Sequence, residues 1–282
     1  MERLFLIGAN KAGTTAVHHF LAAHPQIFMT VNKEPSYYSW DPAAGRAPGP
    51  SFVTDAAAYE ELFALARDAR VAGESSTAYL PNRTARERIH TEHPTARILM
   101  ILRDPSERAH SAHSMMVQRG AEPMVDFADA VERELGGDRT FDYLRLGRYA
   151  DDVAAWRESF PGARITFYQD LAADPRAFVA GIHEWLGVDP FDGADVGHRH
   201  NVSVIADRSR AYRILGSPRA RAVARRLVPS GARRRARHRL EQRARATPLD
   251  AETRRVLVEY YESDVRALED LTGRDLTAWR TV

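Results

Sequence analysis

Short, continuous apolar runs alternate along the chain with longer stretches in which apolar residues return every three or four positions. The runs predict strands at about Arg3 to Gly8, Ile27 to Met29, Arg70 to Ser75, Arg97 to Leu102 and Arg164 to Tyr168. The periodic stretches predict helices from Thr14 through Leu21, Ala56 to Arg67, Thr84 to about Glu92, after Pro105, Asp126 to Leu135, Tyr149 to Phe160, and Pro175 to Leu186. In the second of these, Tyr59, Leu62, Phe63 and Leu65 form the expected inner face. A last helix, Leu249 to Leu271, is capped by Asp250 and apolar at Val256, Leu257, Tyr260, Tyr261, Val265 and Leu268. Arg97 to Leu102 is apolar throughout, the mark of a strand buried on both faces of a parallel sheet. Strands alternating with helices imply right-handed crossovers, hence an α/β fold with helices on both sides of a central parallel sheet.

In such sheets ligands sit beyond the carboxyl ends of the strands. The residues leaving those ends are Lys11 to Thr15, Lys33-Glu34, Glu74-Ser75 and Arg103. The first group lies in Gly8-Ala9-Asn10-Lys11-Ala12-Gly13-Thr14-Thr15, a glycine loop between a strand and a helix. Such a junction aims unpaired backbone N–H groups and the positive end of a helix dipole at one point, so it suits an anion. The Gly8 to Gly13 spacing fits an NTP-binding loop, but Thr14 stands where that motif needs lysine, and the lysine sits inside the loop at Lys11. A nucleotide kinase or NTPase and an ordinary strand-to-helix turn are the competing readings of this loop.

The 282 residues suit one α/β domain with appended helices, with a core over about 1–190 and an extension over about 191–282. Pro42 to Pro50 reads as surface loop. With no cysteine, a disulfide scaffold, thiol catalysis and thiolate metal sites are excluded. No apolar run approaches the roughly 20 residues a spanning helix needs, and a cytoplasmic protein is expected. The net charge is +2, yet of the 40 basic residues only Lys11 and Lys33 are lysine. An ammonium is not interchangeable with a guanidinium, so these positions are informative. From Arg208 to Arg245 arginines dominate, densest at Arg233 to Arg235. A polyanion-binding surface is one reading. Aromatic residues for base stacking are nearly absent there, which favours solvated helices and no nucleic-acid partner. His110 and His113 lack a third ligand and read as packing residues. Trp156, Trp185 and Trp279 read as core.

The loop Gly8-x-x-Lys11-x-Gly13-Thr14-Thr15, the Lys33-Glu34-Pro35 segment and Ile101-Leu102-Arg103-Asp104-Pro105-x-x-Arg108-x-x-Ser111 together resemble the PAPS-dependent sulfotransferases. PAPS is 3′-phosphoadenosine 5′-phosphosulfate, and PAP is its desulfonated product. The resemblance runs from residue 3 to about residue 187, is nearest to the bacterial and heparan-sulfate-type branch, and implies a P-loop-like three-layer αβα domain. It implies that Ala12, Gly13, Thr14 and Thr15 cradle the phosphosulfate. Lys11 would bridge the leaving phosphate and the sulfonyl group, a charge that a lysine can stabilise without a metal. Arg103 and Ser111, eight residues apart, would take the 3′-phosphate. Glu34 would be the general base, with Lys33 near the acceptor and His198 or His200 as the fallback base. The heparan-sulfate enzymes carry a lysine after the glutamate matching Glu74. Ser75 stands there instead, which favours an acceptor smaller than a glycosaminoglycan, with Glu74 and Ser75 among the residues that bind it. Arg208 or Arg210 would close over the nucleotide. The implied activity is O-sulfation of a small-molecule or glycosylated metabolite. Trp40 to Phe52 and Gln118 to Tyr149 are the expected acceptor loops. The sequence leaves acceptor identity and oligomeric state open.

Overall fold

The computed structural model of the chain describes residues 1–40, 49, 52–193 and 248–282. Arg208, Arg210, His198, His200, most of the Pro42 to Pro50 loop and the arginine-dense region lie outside the described residues. Five strands form one parallel sheet in the order β2-β3-β1-β4-β5: β1 Glu2–Gly8, β2 Ile27–Met29, β3 Val71–Ser75, β4 Arg97–Leu102 and β5 Arg164–Phe167. Among the described residues the helices up to residue 193 are α1 Thr14–Ala22, α2 Ala56–Glu61, α3 Arg83–Glu92, α4 Pro105–Arg119, α5 Phe127–Leu135, α6 Ala150–Ser159, α7 Tyr168–Ala173 and α8 Pro175–Leu186. A C-terminal helix follows at Ala251–Thr272, its Asp250 cap accepting from the Thr253 N–H at 2.8 Å. This is the three-layer α/β arrangement expected, and no described helix is long and apolar enough to cross a membrane.

The sheet core explains the apolar runs. Leu4, Phe5, Leu6 and Ile7 of β1 and Ile98 to Leu102 of β4 are almost entirely buried because both strands are interior and covered on each face. Gly73 is needed where β3 passes β1: a Cβ there would lie 2.8 Å from Met29 Sδ and 3.0 Å from Leu4 Cβ. The connections after β1 lead to β2 and β3 on one side, while β4 and β5 lie on the other. The order therefore switches at β1, and the carboxyl end of β1 is the expected ligand crevice.

The chain divides into two compact units, the first made of Met1–Asp104, Arg148–Asn201 and Ser263–Leu276, the second of Pro105–Gly147, Val202–Glu262 and Thr277–Val282. The first holds the whole sheet. There, Asp264 accepts from the Tyr149 and Ala150 N–H groups at 2.8 and 3.2 Å and so caps α6. In the second, the Glu134 carboxylate accepts from the Tyr143 and Leu144 N–H groups, both at 2.8 Å, and the Tyr261 hydroxyl donates to the Leu144 carbonyl at 2.9 Å. His113 bonds the Met124 carbonyl at 2.9 Å, and His110 and His113 both pack on Phe127, as packing residues do.

Some expectations need correction. The helix from Ala56 stops at Glu61, and the chain continues through turns closed by bonds from Phe63, Ala64 and Ala66 N–H to carbonyls three residues back. This tighter winding turns Leu65 outward, where it is 74% exposed. Trp185 is half-buried, with the Arg97 guanidinium 5.7 Å from its ring, and is not core. Val256 is exposed, the inner face of the last helix being Leu257, Tyr261, Asp264, Val265 and Leu268. The short helix α7, directly after β5, was not expected.

Candidate active site

Three backbone bonds gather the strand ends around β1. Ala9 N–H donates to Ile101 O at 2.7 Å, Ser76 N–H to Leu6 O at 3.1 Å and Leu80 N–H to Ile7 O at 3.0 Å. The loop after β1 then turns through left-handed backbone at Lys11 (φ 69°) and Gly13 (φ 91°). Gly13 is required: a Cβ there would stand 2.9 Å from Leu171 Cδ2 and 3.1 Å from Tyr168 Cδ2. Its carbonyl starts α1 by accepting from Ala16 and Val17 N–H at 3.0 and 3.3 Å. The N–H groups of Thr14 and Thr15 precede that first helical bond, in the turn where a helix is an anion cradle. Thr14 and Ala12 are buried and Thr15 is half-buried.

Arg103 leaves the end of β4 and donates from Nη1 to the Lys11 carbonyl at 3.2 Å. The Tyr168 ring lies 4.8 Å from its guanidinium carbon, and the Tyr149 hydroxyl donates to the Arg103 carbonyl at 3.0 Å. Lys11, Gly13, Arg103 and Tyr168 are thus one cluster. Tyr168 was missed, although it is the first residue beyond β5, the position that singled out the other strand-end residues. Ser111 belongs to the second unit and is buried on α4, so its assignment rests on spacing alone.

The loop after β2 carries Lys33 and Glu34. Its anchor is the bond from Glu34 N–H to Ser75 O at 2.8 Å, and Glu34 adopts φ 61°. A non-glycine residue held at positive φ costs about 1 kcal/mol or more and persists only where neighbours over-determine it. Those neighbours are visible. The Thr77 N–H donates to Glu34 Oε2 at 2.7 Å, the Thr77 hydroxyl reaches both carboxylate oxygens at 3.2 Å, and Lys33 Nζ is paired with Oε1. The Glu34 side chain remains 34% exposed, so a ligand can reach the carboxylate. Thr77 also escaped the sequence reading, which stopped at Ser75 although the polar run continues through Ser76 and Thr77.

The sequence places Glu74 and Ser75 among the acceptor-binding residues, but both side chains are fully buried and turn away from any acceptor. The Glu74 carboxyl takes the Ser76 hydroxyl at 2.7 Å and the Tyr59 hydroxyl at 3.3 Å, with Tyr79 as a further partner, and burial pushes its pKa up to about 7. The Ser75 hydroxyl lies 2.8 Å from His18 Nδ1. Burial, and then the Lys33 charge, lower the His18 pKa to about 4, against a backbone hydrogen bond with Thr30 that favours the protonated ring. His18 is therefore a neutral strut between α1, Thr30 and the end of β3.

A parallel α/β sheet whose switch point carries a helix start, a lysine, an arginine and a reachable carboxylate has the parts to hold an anion beside a base. Comparison with known proteins narrows the class. Residues 3–193 match the sulfotransferase family, and the chain belongs to that family. Among curated relatives it is 25% identical over 186 residues to human heparan sulfate glucosamine 3-O-sulfotransferase 6, covering 65% of this chain and 51% of that protein. It is 24% identical over 192 residues to human heparan sulfate glucosamine 3-O-sulfotransferase 3B1, covering 67% and 46%. The chain thus spans about half the length of these relatives. Among solved structures, a sulfotransferase from Alicyclobacillus acidocaldarius superposes with TM-score 0.73 at 24% identity over 99% of both chains. The sulfotransferase domain of the curacin biosynthetic pathway gives 0.51 at 14% identity, covering 92% of this chain and 97% of that one.

Proposed function

We propose that this protein is a PAPS-dependent O-sulfotransferase with Glu34 as general base and Lys11 beside the leaving phosphate. The observation that carries the reading is the convergence at the end of β1. The loop of Lys11 is tied to Arg103, and the loop of Glu34 is tied to Ser75. The residues fit the donor: the Gly13 turn leaves no room for a side chain, and the helix start supplies N–H groups for a phosphosulfate.

In this mechanism Glu34 takes the proton of the acceptor hydroxyl, whose oxygen forms the new bond to sulfur as the bond from sulfur to the 5′-phosphate oxygen breaks. Lys11 and the amides of Gly13, Thr14 and Thr15 stabilise the charge left on that phosphate, which grows toward the transition state. Arg103 holds the 3′-phosphate through its planar fork, kept in place by Tyr168, with Ser111 added on sequence spacing. Lys33 pairs with the Glu34 carboxylate beside the acceptor. Glu74 and Ser75 act from behind the acceptor-facing surface. The names of the curated relatives favour a saccharide hydroxyl, and the absence at position 75 of the lysine that the heparan-sulfate enzymes carry there favours a small or medium-sized acceptor over a polymer.

Thermal shift with PAP, ATP and ADP tests the donor site. Stabilisation by PAP is expected, and stabilisation by ATP but not PAP overturns the reading in favour of a kinase or NTPase. Mass spectrometry of a panel of saccharides, glycosides and phenols incubated with PAPS then identifies the acceptor by its added sulfonyl mass. Heparin binding that survives Lys11→Ala and is lost when Arg233 to Arg235 are neutralised, with no product in the panel, supports a non-catalytic polyanion binder instead.

A further inference from the structure

Glu74 is a carboxyl with no exposed surface on an interior strand, and the mechanism above gives it no step. Burying such a group costs several kcal/mol unless its partners compensate, so its contacts are the place to look for a role. Tyr59, Tyr79 and Ser76 supply hydroxyls, while Glu34 opposes its ionisation across the space between them. The Ser76 hydroxyl has a second contact: its oxygen accepts from the Ser36 N–H at 3.0 Å. A hydroxyl has a single proton, so donating it to Glu74 turns the oxygen lone pairs toward Ser36.

Ser36 is itself at φ 51°, two residues beyond Glu34 at φ 61°, and is buried. The turn that presents Glu34 is thus left-handed at both its ends, and three successive residues after Glu74 hold it. Ser75 O accepts the Glu34 N–H, Ser76 Oγ accepts the Ser36 N–H, and Thr77 N–H donates to the Glu34 carboxylate. Of these three residues Ser76 is the one whose side chain bonds the buried acid, and the Tyr79 hydroxyl, also a partner of Glu74, accepts the Tyr38 N–H at 3.3 Å just beyond the turn.

We infer that Glu74 is a positioning residue: through the Ser76 hydroxyl it holds the Glu34-Pro35-Ser36 turn in its left-handed form and so aims the Glu34 carboxylate. Glu74 reaches no substrate. This inference rests on Glu34 being the base, and it accounts for a buried acid beside Ser75 where direct acceptor contact does not.

The test compares Ser76→Ala, Ser76→Thr and Glu74→Gln with the unaltered chain by three measurements. These are amide hydrogen exchange, PAP affinity by calorimetry, and turnover with PAPS and the fastest acceptor of the panel. For Ser76→Ala the expected result is faster exchange confined to residues 33–38, PAP affinity within about twofold, and kcat lower by about tenfold or more, the scale of a misplaced catalytic group. Ser76→Thr restores both exchange and kcat, and Glu74→Gln falls between. Unchanged exchange at 33–38, or increased exchange across β1 and β4 together with lost PAP affinity, overturns the inference. Glu34→Gln separates the two levels. If that variant turns over normally the base assignment fails, whereas if it is inactive while Ser76→Ala is fully active only the positioning role fails.

Discussion

Replacing Glu74 by Gln removes a titration while keeping the shape of the side chain, and the consequence is a defined change in how stability follows pH. In the fold the Glu74 carboxyl is pushed up to about 7 from 4.5, chiefly by burial and further by Glu34, against the hydroxyl bonds that favour its ionised form. Between these values the folded state binds more protons than the unfolded state. The contribution of a protonated Glu74 is therefore fully present below about pH 4.5 and is lost as pH rises through about 7. For the carboxyl shift above, linkage gives a loss on the order of 2 to 3 kcal/mol between about pH 5 and pH 8. His18 and His183, both lowered to about 4 by burial, act in the opposite sense over the acid part of the range. They are common to both proteins and cancel in the difference. Urea unfolding of the unaltered chain and Glu74→Gln at several pH values measures that difference. It is expected to move in favour of Glu74→Gln as pH rises. A pH-independent difference refutes the reasoning, because it means the hydroxyl donors outweigh burial and Glu74 is ionised throughout.

Glu34→Gln is expected to leave PAP affinity near normal by calorimetry while turnover falls by about two orders of magnitude or more, as for loss of a general base. Lys11→Ala should lower kcat by a similar factor, with thermal shift by PAP reduced but still present. Thr77→Val keeps the backbone donor to Glu34 and removes the hydroxyl, so a kcat several-fold lower with unchanged PAP affinity is expected. Gly13→Ala forces a Cβ against Leu171 and Tyr168 at positive φ and should cost about 1 kcal/mol or more of stability in urea, together with weakened PAP binding.

The legible part of the site was the part that sits on strand ends. Lys11, Glu34 and Arg103 lie in the loops that leave β1, β2 and β4, and Glu74 lies beside the end of β3, and a parallel sheet brings such positions to one edge. Ser76 and Thr77 follow the end of β3 and Tyr168 follows the end of β5, but serine, threonine and tyrosine carry no charge pattern that marks them. Their roles come from hydrogen bonds to residues distant in sequence, Ser76 to Ser36 and Thr77 to Glu34. Periodicity failed at Leu65 and Val256 because a few residues of tightened winding, or a change in which side faces the core, redirects a side chain without altering the apolar spacing.

By itself the sequence determined the five strands, their parallel arrangement and the glycine loop with its displaced lysine, because apolar runs, helical spacing and the demands of a strand-to-helix turn are local. The tertiary structure alone decided that Glu74 is buried rather than presented to a ligand, and that Glu34 is held from the residues following β3. Burial and hydrogen-bond partnership depend on which strand lies beside which. That order, β3 between β2 and β1, is set by packing of the whole sheet and is written in no single stretch of the chain.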